Sequence, residues 1–150
     1  MRLWHRTLLP YLPDAQFKGQ LRELVAIMHD WRDKGKTNHL LINRVMEYPQ
    51  DELTQYFFEY SYEYYKRYGK SLNRQMDEFN MFSLGKTKVV RPIKMTSLYE
   101  FWHNKKYLRV CMANLYEKHY MGIGKSRITD EEWERLCEGY KTITGEEYEI

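Results

Sequence analysis

A chain of 150 residues suits one hydrophobic core, and 43% hydrophobic with 30% charged residues is globular composition. The formal charge of +3 hides an asymmetry: Ile128 to Ile150 holds eight acids against Arg135 and Lys141, leaving 22 basic and 13 acidic residues before it, a body of roughly +9 that fits a polyanionic partner. No stretch approaches the roughly 20 apolar residues of a membrane span, and the first residues lack the apolar run of a signal peptide.

The expectation is therefore a single domain over residues 1–150 with an acidic segment at about 128–150, soluble and without a membrane partner. Cys111 and Cys137 lie in helix-like segments without metal spacing and read as reduced thiols of a cytoplasmic protein. Aromatic residues reach 16%, with 14 Tyr and 4 Trp, enough for base stacking as well as core filling.

In chain order, Asp14 follows Pro13 and is placed to cap a helix whose apolar residues Phe17, Leu21, Leu24, Val25 and Met28 recur at helical spacings to about Trp31. A polar turn with Asp33, Lys34, Gly35 and Lys36 ends it, and a short helix is expected around His39 to Met46. Pro49 suits the first turn of the next helix, in which Leu53, Phe57, Tyr60 and Tyr64 mark one face and Gly69 offers the stop. Its tyrosines read first as core packing.

Leu72, Met76, Phe79 and Phe82 give a weaker helical pattern from Ser71 to Phe82. The following LGKTKVVRPIKMT carries Lys86, Lys88, Arg91 and Lys94 with no acid; Pro92 argues against helix, so it reads as a basic loop, either simply solvated or a phosphate-contacting surface. Ser97 and Glu100 have capping-box spacing and predict a helical stretch, broken near His103 and Asn104, that continues past Lys105, Lys106, Arg109, Cys111, Leu115 and Lys118 to Gly122. Thr129 and Glu132 repeat the device before Trp133, Leu136, Cys137 and Tyr140. No run alternates as a strand, so the expected fold is all-α, with five or six helices.

The segment GQLRELVA, Gly19 to Ala26, has its own interest. At about 100° per residue, Arg22 and Glu23 project from opposite flanks of the polar side of the first helix, with the small Gly19 and Ala26 between them. A guanidinium and a carboxylate bordering a face of little bulk admit a ligand close to the helix. Gly19 costs that helix about 0.5 to 1 kcal/mol relative to Ala. Solvated helix charges remain the alternative. The five histidines show no zinc spacing, and no Gly-rich phosphate loop or nucleophile elbow occurs, which disfavours familiar metal and serine-hydrolase chemistry.

MRLWHRTLLPYLPDAQFKGQLRELVAI, with its Thr7-Leu8 pair, Leu12, Asp14 and Arg22-Glu23-Leu24, resembles the pyrimidine-dimer DNA glycosylase family of the phage endonuclease V type. The likeness continues through NHLLINRVMEYPQDELTQYFFEYSYEYYKRYGK, and ANLYEKHY around Lys118 resembles a basic C-terminal helix of that family. The resemblance implies a compact all-α fold, a damaged double-stranded DNA partner and a bifunctional reaction: glycosidic cleavage at a damaged base, then strand scission at the abasic site. It implies an N-terminal α-amine as nucleophile, Glu23 as principal catalytic carboxylate, and Arg22 and Arg2 as phosphate contacts.

Members of the family expose a threonine after methionine removal, whereas Arg2 is too bulky for that processing here. Met1 is thus expected to be retained and to supply the amine. Arg6 adds a third cation near the chain start, and a further family arginine falls at Ala26. The resemblance calls for no metal or organic cofactor and no obligate protein partner. It implies a monomer of bacterial or phage origin working at the nucleoid.

Two other readings stand beside it. A helical nucleic-acid-binding protein without catalysis would use Lys86, Lys88, Arg91, Lys94, Lys105, Lys106 and Arg109. A protein-interaction domain would use the acidic tail and the tyrosines.

Overall fold

The computed structural model describes residues 2–84 and 98–150. Every regular element among them is helical, as expected: α1 (Asp14–Lys34), α2 (Gln50–Tyr68), α3 (Asn73–Leu84), α4 (Lys105–Tyr120) and α5 (Asp130–Thr144). Short 3₁₀ turns cover Arg6–Tyr11, Ile42–Glu47 and Gly124–Ser126. None of the described helices is long and apolar enough to cross a membrane.

Local chemistry sets the helix ends. The Pro13 carbonyl accepts the first bond of α1 from Phe17 N–H at 2.9 Å, so Asp14 is the first helical residue rather than the cap, and it pairs with Lys18 at 3.1 Å. α1 outruns the expected Trp31 to Lys34, and Gly35 then turns left-handed at φ +71°. Pro49 caps α2 and Gly69 closes it at φ +66°. Thr129 and Glu132 form the reciprocal capping box that their spacing predicts at the start of α5.

Two expectations need correction, and one element was not foreseen. The short helix near His39 to Met46 is a 3₁₀ turn over Ile42–Glu47, preceded by a loop whose Thr37 N–H donates to the Asn43 side chain of the turn at 2.8 Å. The stretch opened by Ser97 and Glu100 is not helical where it is described: Leu98–Glu100 form a turn, and Tyr99 and Phe101 have φ of 52° and 68°. α4 starts only at Lys105, capped by the Asn104 side chain, which accepts from Tyr107 N–H at 2.9 Å. The Arg6–Tyr11 turn has no periodic apolar stripe to announce it and holds Leu8 and Leu9 in the core.

The described chain divides into two packed units. One joins the residues up to Leu3 with Leu21–Glu100. Its core is Leu24, Ile27 and Met28 of α1, Leu53, Tyr56, Phe57 and Tyr60 of α2, and Phe79 and Phe82 of α3. Phe57 and Phe79 stack with centroids 4.2 Å apart and planes 8° from parallel, which joins α2 to α3. Tyr56 and Tyr60 are fully buried, so the core reading of the α2 tyrosines holds for them, while Tyr62 and Tyr65 are exposed.

The other unit joins Trp4–Gln20 with Phe101–Ile150. Its buried core residues are Leu8, Leu9, Leu12 and Phe17, with Leu108, Cys111, Met112 and Leu115 of α4 and Leu136 and Tyr140 of α5. Gly139 lets α5 approach the N-terminal 3₁₀ turn, because a Cβ there would lie 2.4 Å from Cγ of Tyr11. α1 supplies residues to both units, changing membership after Gln20.

Candidate functional site

The backbone N–H groups of residues 2–5, ahead of the first 3₁₀ turn, lie outside any regular element. Polar side chains of α1 take two of them. Trp4 N–H donates to Gln20 Oε1 at 2.8 Å, and Arg2 N–H donates to Glu23 Oε2 at 3.2 Å. Gln20 and Glu23 are three residues apart and so lie on one face of the helix. Sequence reasoning missed Gln20, which is fully buried; a polar residue beside an otherwise apolar α1 face was the signal for it.

Glu23 is half-buried, unlike an ordinary helix-surface glutamate. Burial pushes its carboxyl above the usual carboxylate range, against the pull of the Arg2 N–H and of the Arg2 and Arg22 guanidinium charges. Arg22 beside it is exposed, Arg2 is half-buried, and Gly19 and Ala26 are partly covered. The two neighbours in sequence thus have different surroundings: a solvated cation and a partly desolvated carboxylate held against the start of the chain.

The model of the pyrimidine dimer DNA glycosylase family matches residues 1–76, just over half of the 150. The chain belongs to that family. Membership makes it a DNA-repair glycosylase by class, with damaged DNA as the family's substrate. The matched glycosylase region takes in Arg2, Arg6, Arg22, Glu23, all of α2 and the start of α3. No curated protein and no solved structure matches the chain.

The remaining residues expected at the glycosylase site are placed unevenly. Met1 and the loop cations Lys86, Lys88, Arg91 and Lys94 lie outside the described residues. Arg6 is half-buried, with its N–H donating to His103 Nδ1 at 3.2 Å. Lys106 is exposed and Lys118 half-exposed on α4.

Lys105 and Arg109 carry partners from the acidic tail. Lys105 Nζ meets Glu146 Oε2 at 2.7 Å. The Arg109 guanidinium donates to Tyr140 Oη at 3.3 Å and to the Glu149 carbonyl at 3.1 Å, and lies 5.3 Å from the Tyr148 ring centroid. Composition separated an acidic tail from a basic body; in this unit the two are in contact.

Proposed function

We propose that this family member is a bifunctional enzyme, a DNA N-glycosylase and abasic-site lyase acting on damaged duplex DNA, with pyrimidine dimers as substrate and the Met1 α-amine as nucleophile. The observation that carries the proposal is the 3.2 Å bond from Arg2 N–H to the half-buried Glu23 carboxylate. Because Met1 is covalently joined to Arg2, that bond supports a reading in which amine and carboxylate act together.

The chemistry suits both groups. An α-amine ordinarily titrates at about 7.7 to 8.0, far below the about 10.4 of a lysine, so a fraction is free base at neutral pH. The nitrogen lone pair attacks C1′ of the damaged nucleotide. The glycosidic bond breaks, its electron pair leaves with the base, and the base takes up a proton. Nitrogen then loses its protons as the C1′–O4′ bond breaks and O4′ takes up a proton, leaving an imine between Met1 and C1′.

Removal of a C2′ proton then drives electrons toward C3′, the C3′–O bond breaks, and the 3′ phosphate departs. Water hydrolyses the imine and restores the amine. Glu23, whose carboxyl burial raises above its ordinary value, is suited to give and take these protons. Arg2, Arg6 and Arg22 hold phosphates around the lesion, joined by Lys86, Lys88, Arg91, Lys94, Lys105, Lys106, Arg109 and Lys118 as cations along the DNA. The lesion is reached by flipping a nucleotide out of a bent duplex.

The test is borohydride trapping on abasic and ultraviolet-irradiated duplexes. The intact chain gives a covalent adduct at its first residue. A chain whose amine has been blocked gives none, and Glu23→Gln loses strand cleavage by about 10²- to 10⁴-fold. Undiminished cleavage in either sinks the mechanism. Salt-sensitive binding with no adduct from the intact chain would leave the non-catalytic DNA-binding reading in its place.

A further inference from the structure

The turn joining α4 to α5 exposes an unusual set of side chains. Tyr120, Met121 and Ile123 are 75%, 70% and 86% exposed, three large apolar groups within four residues. Lys125 and Arg127 follow immediately and are also exposed. Isolated exposed apolar residues are ordinary, but a contiguous group at a tip marks a contact surface.

This tip is tied down at several points. A Cβ on Gly122 would sit 2.0 Å from the Lys118 carbonyl oxygen and 3.2 Å from Cα of Arg127, so only glycine fits the crossing. Ile128 is fully buried and its N–H donates to the Lys118 carbonyl at 3.3 Å, while its own carbonyl accepts from His119 Nδ1 at 3.0 Å. The Ser126 carbonyl accepts from Gln16 Nε2 at 2.9 Å, and the Thr129–Glu132 capping box secures the exit into α5. The apolar side chains are therefore presented to water on a braced turn rather than left there by a loose one.

A braced apolar tip flanked by cations matches a DNA duplex better than an apolar protein groove. Side chains of this kind wedge between base pairs and unstack them, while adjacent Lys and Arg meet the phosphates on either side. Of the acids near the tip, Glu132 is taken into the capping box and Asp130 faces His119 at 3.7 Å; Glu117 and Glu131 stay exposed against Lys118, Lys125 and Arg127. We propose that residues 120–127 form a DNA-unstacking wedge, with Ile123 and Met121 as the inserting side chains and Lys125 and Arg127 as its phosphate clamps. The proposal rests on the DNA-repair reading above and adds to it a second contact, outside the region matched by the family model.

The test uses the full chain and duplexes carrying a stable abasic analogue beside 2-aminopurine, with an undamaged duplex as control. All substituted side chains are exposed, so melting temperatures should match that of the parent chain and folding is not confounded. Lys125→Ala with Arg127→Ala weakens binding to both duplexes about tenfold and lowers the salt slope by about 2. Ile123→Ala with Met121→Ala leaves undamaged binding nearly unchanged but removes most of the 2-aminopurine fluorescence rise on the lesion duplex.

Wild-type fluorescence and affinity in both variants, while borohydride still traps the parent chain, overturn the wedge alone. A change confined to self-association in Ile123→Ala, with DNA binding intact, overturns it in favour of a contact between copies. Failure of the catalytic reading shows differently, as absence of a trapped adduct in the parent chain.

Discussion

The backbone N–H of Arg2 donates to the Glu23 carboxylate across 3.2 Å, joining the start of the chain to the middle of α1. Its side effect is thermodynamic. Burial raises the Glu23 carboxyl above its ordinary value of 4.5, so the folded protein favours the neutral form and ionising it costs stability. That cost is absent below the unfolded value and grows as pH rises through the raised folded value. Glu23→Gln should therefore melt higher than the parent at pH 7 and equal to it near pH 4 in calorimetry, while losing incision. Equal melting at both pH values would show that the site stores no such strain.

His5 gives the opposite dependence. It is 6% exposed, its Nδ1 accepts from the Thr7 hydroxyl at 2.7 Å, and its ring stacks on His103 at 5.0 Å. Desolvation lowers its pKa from 6.5 to about 4, opposed by the backbone acceptors of His103 and Asn104 and helped by the Arg6 charge. The unfolded chain binds this proton first, so stability is full above about pH 6.5 and is lost progressively toward pH 4, by about 3 kcal/mol in total. His5→Asn should flatten that part of a pH series of urea melts.

Gly139 sits where a Cβ would come within 2.4 to 2.8 Å of three ring atoms of Tyr11. Alanine has the higher helix propensity, yet Gly139→Ala should destabilise by about 1 to 3 kcal/mol because a buried ring must move. Tyr11→Ala paired with Gly139→Ala should recover part of the loss, a coupling measurable as a double-mutant cycle.

Glu146 holds Lys105, and the residues after it cover Arg109. Both cations must exchange these partners for phosphates if α4 contacts DNA. Glu146→Gln should then raise affinity for undamaged duplex a few-fold at low salt, with the gain fading as salt rises. Unchanged affinity at low salt would remove Lys105 from the DNA-contacting set.

Sequence alone determined the elements whose signals are local. Apolar spacing marked α1, α2 and α3; Gly69 and the Thr129–Glu132 pair marked an end and a beginning, because propensity and capping act within one or two turns. The order Arg22-Glu23-Leu24 in its context was legible as a family resemblance, and the family model bears that out. Where tertiary contacts outweigh local preference, reading failed. Tyr99 and Phe101 adopt positive φ where a capping-box pattern promised helix, and Arg6–Tyr11 winds into a 3₁₀ turn with no periodic stripe of its own.

The character of Glu23 was also beyond local reading. Helix geometry put it on a polar flank, where a glutamate is ordinarily solvated. Only the return of the N-terminal segment along α1, with Trp4 bound to Gln20 and Arg2 to Glu23, removes water from one side of that carboxylate. Desolvation depends on which distant segment covers a group, and two residues separated by 21 positions meet by folding, not by spacing. The same reason explains the tail: composition counted its acids, but the fold decided that Glu146 would lie on Lys105.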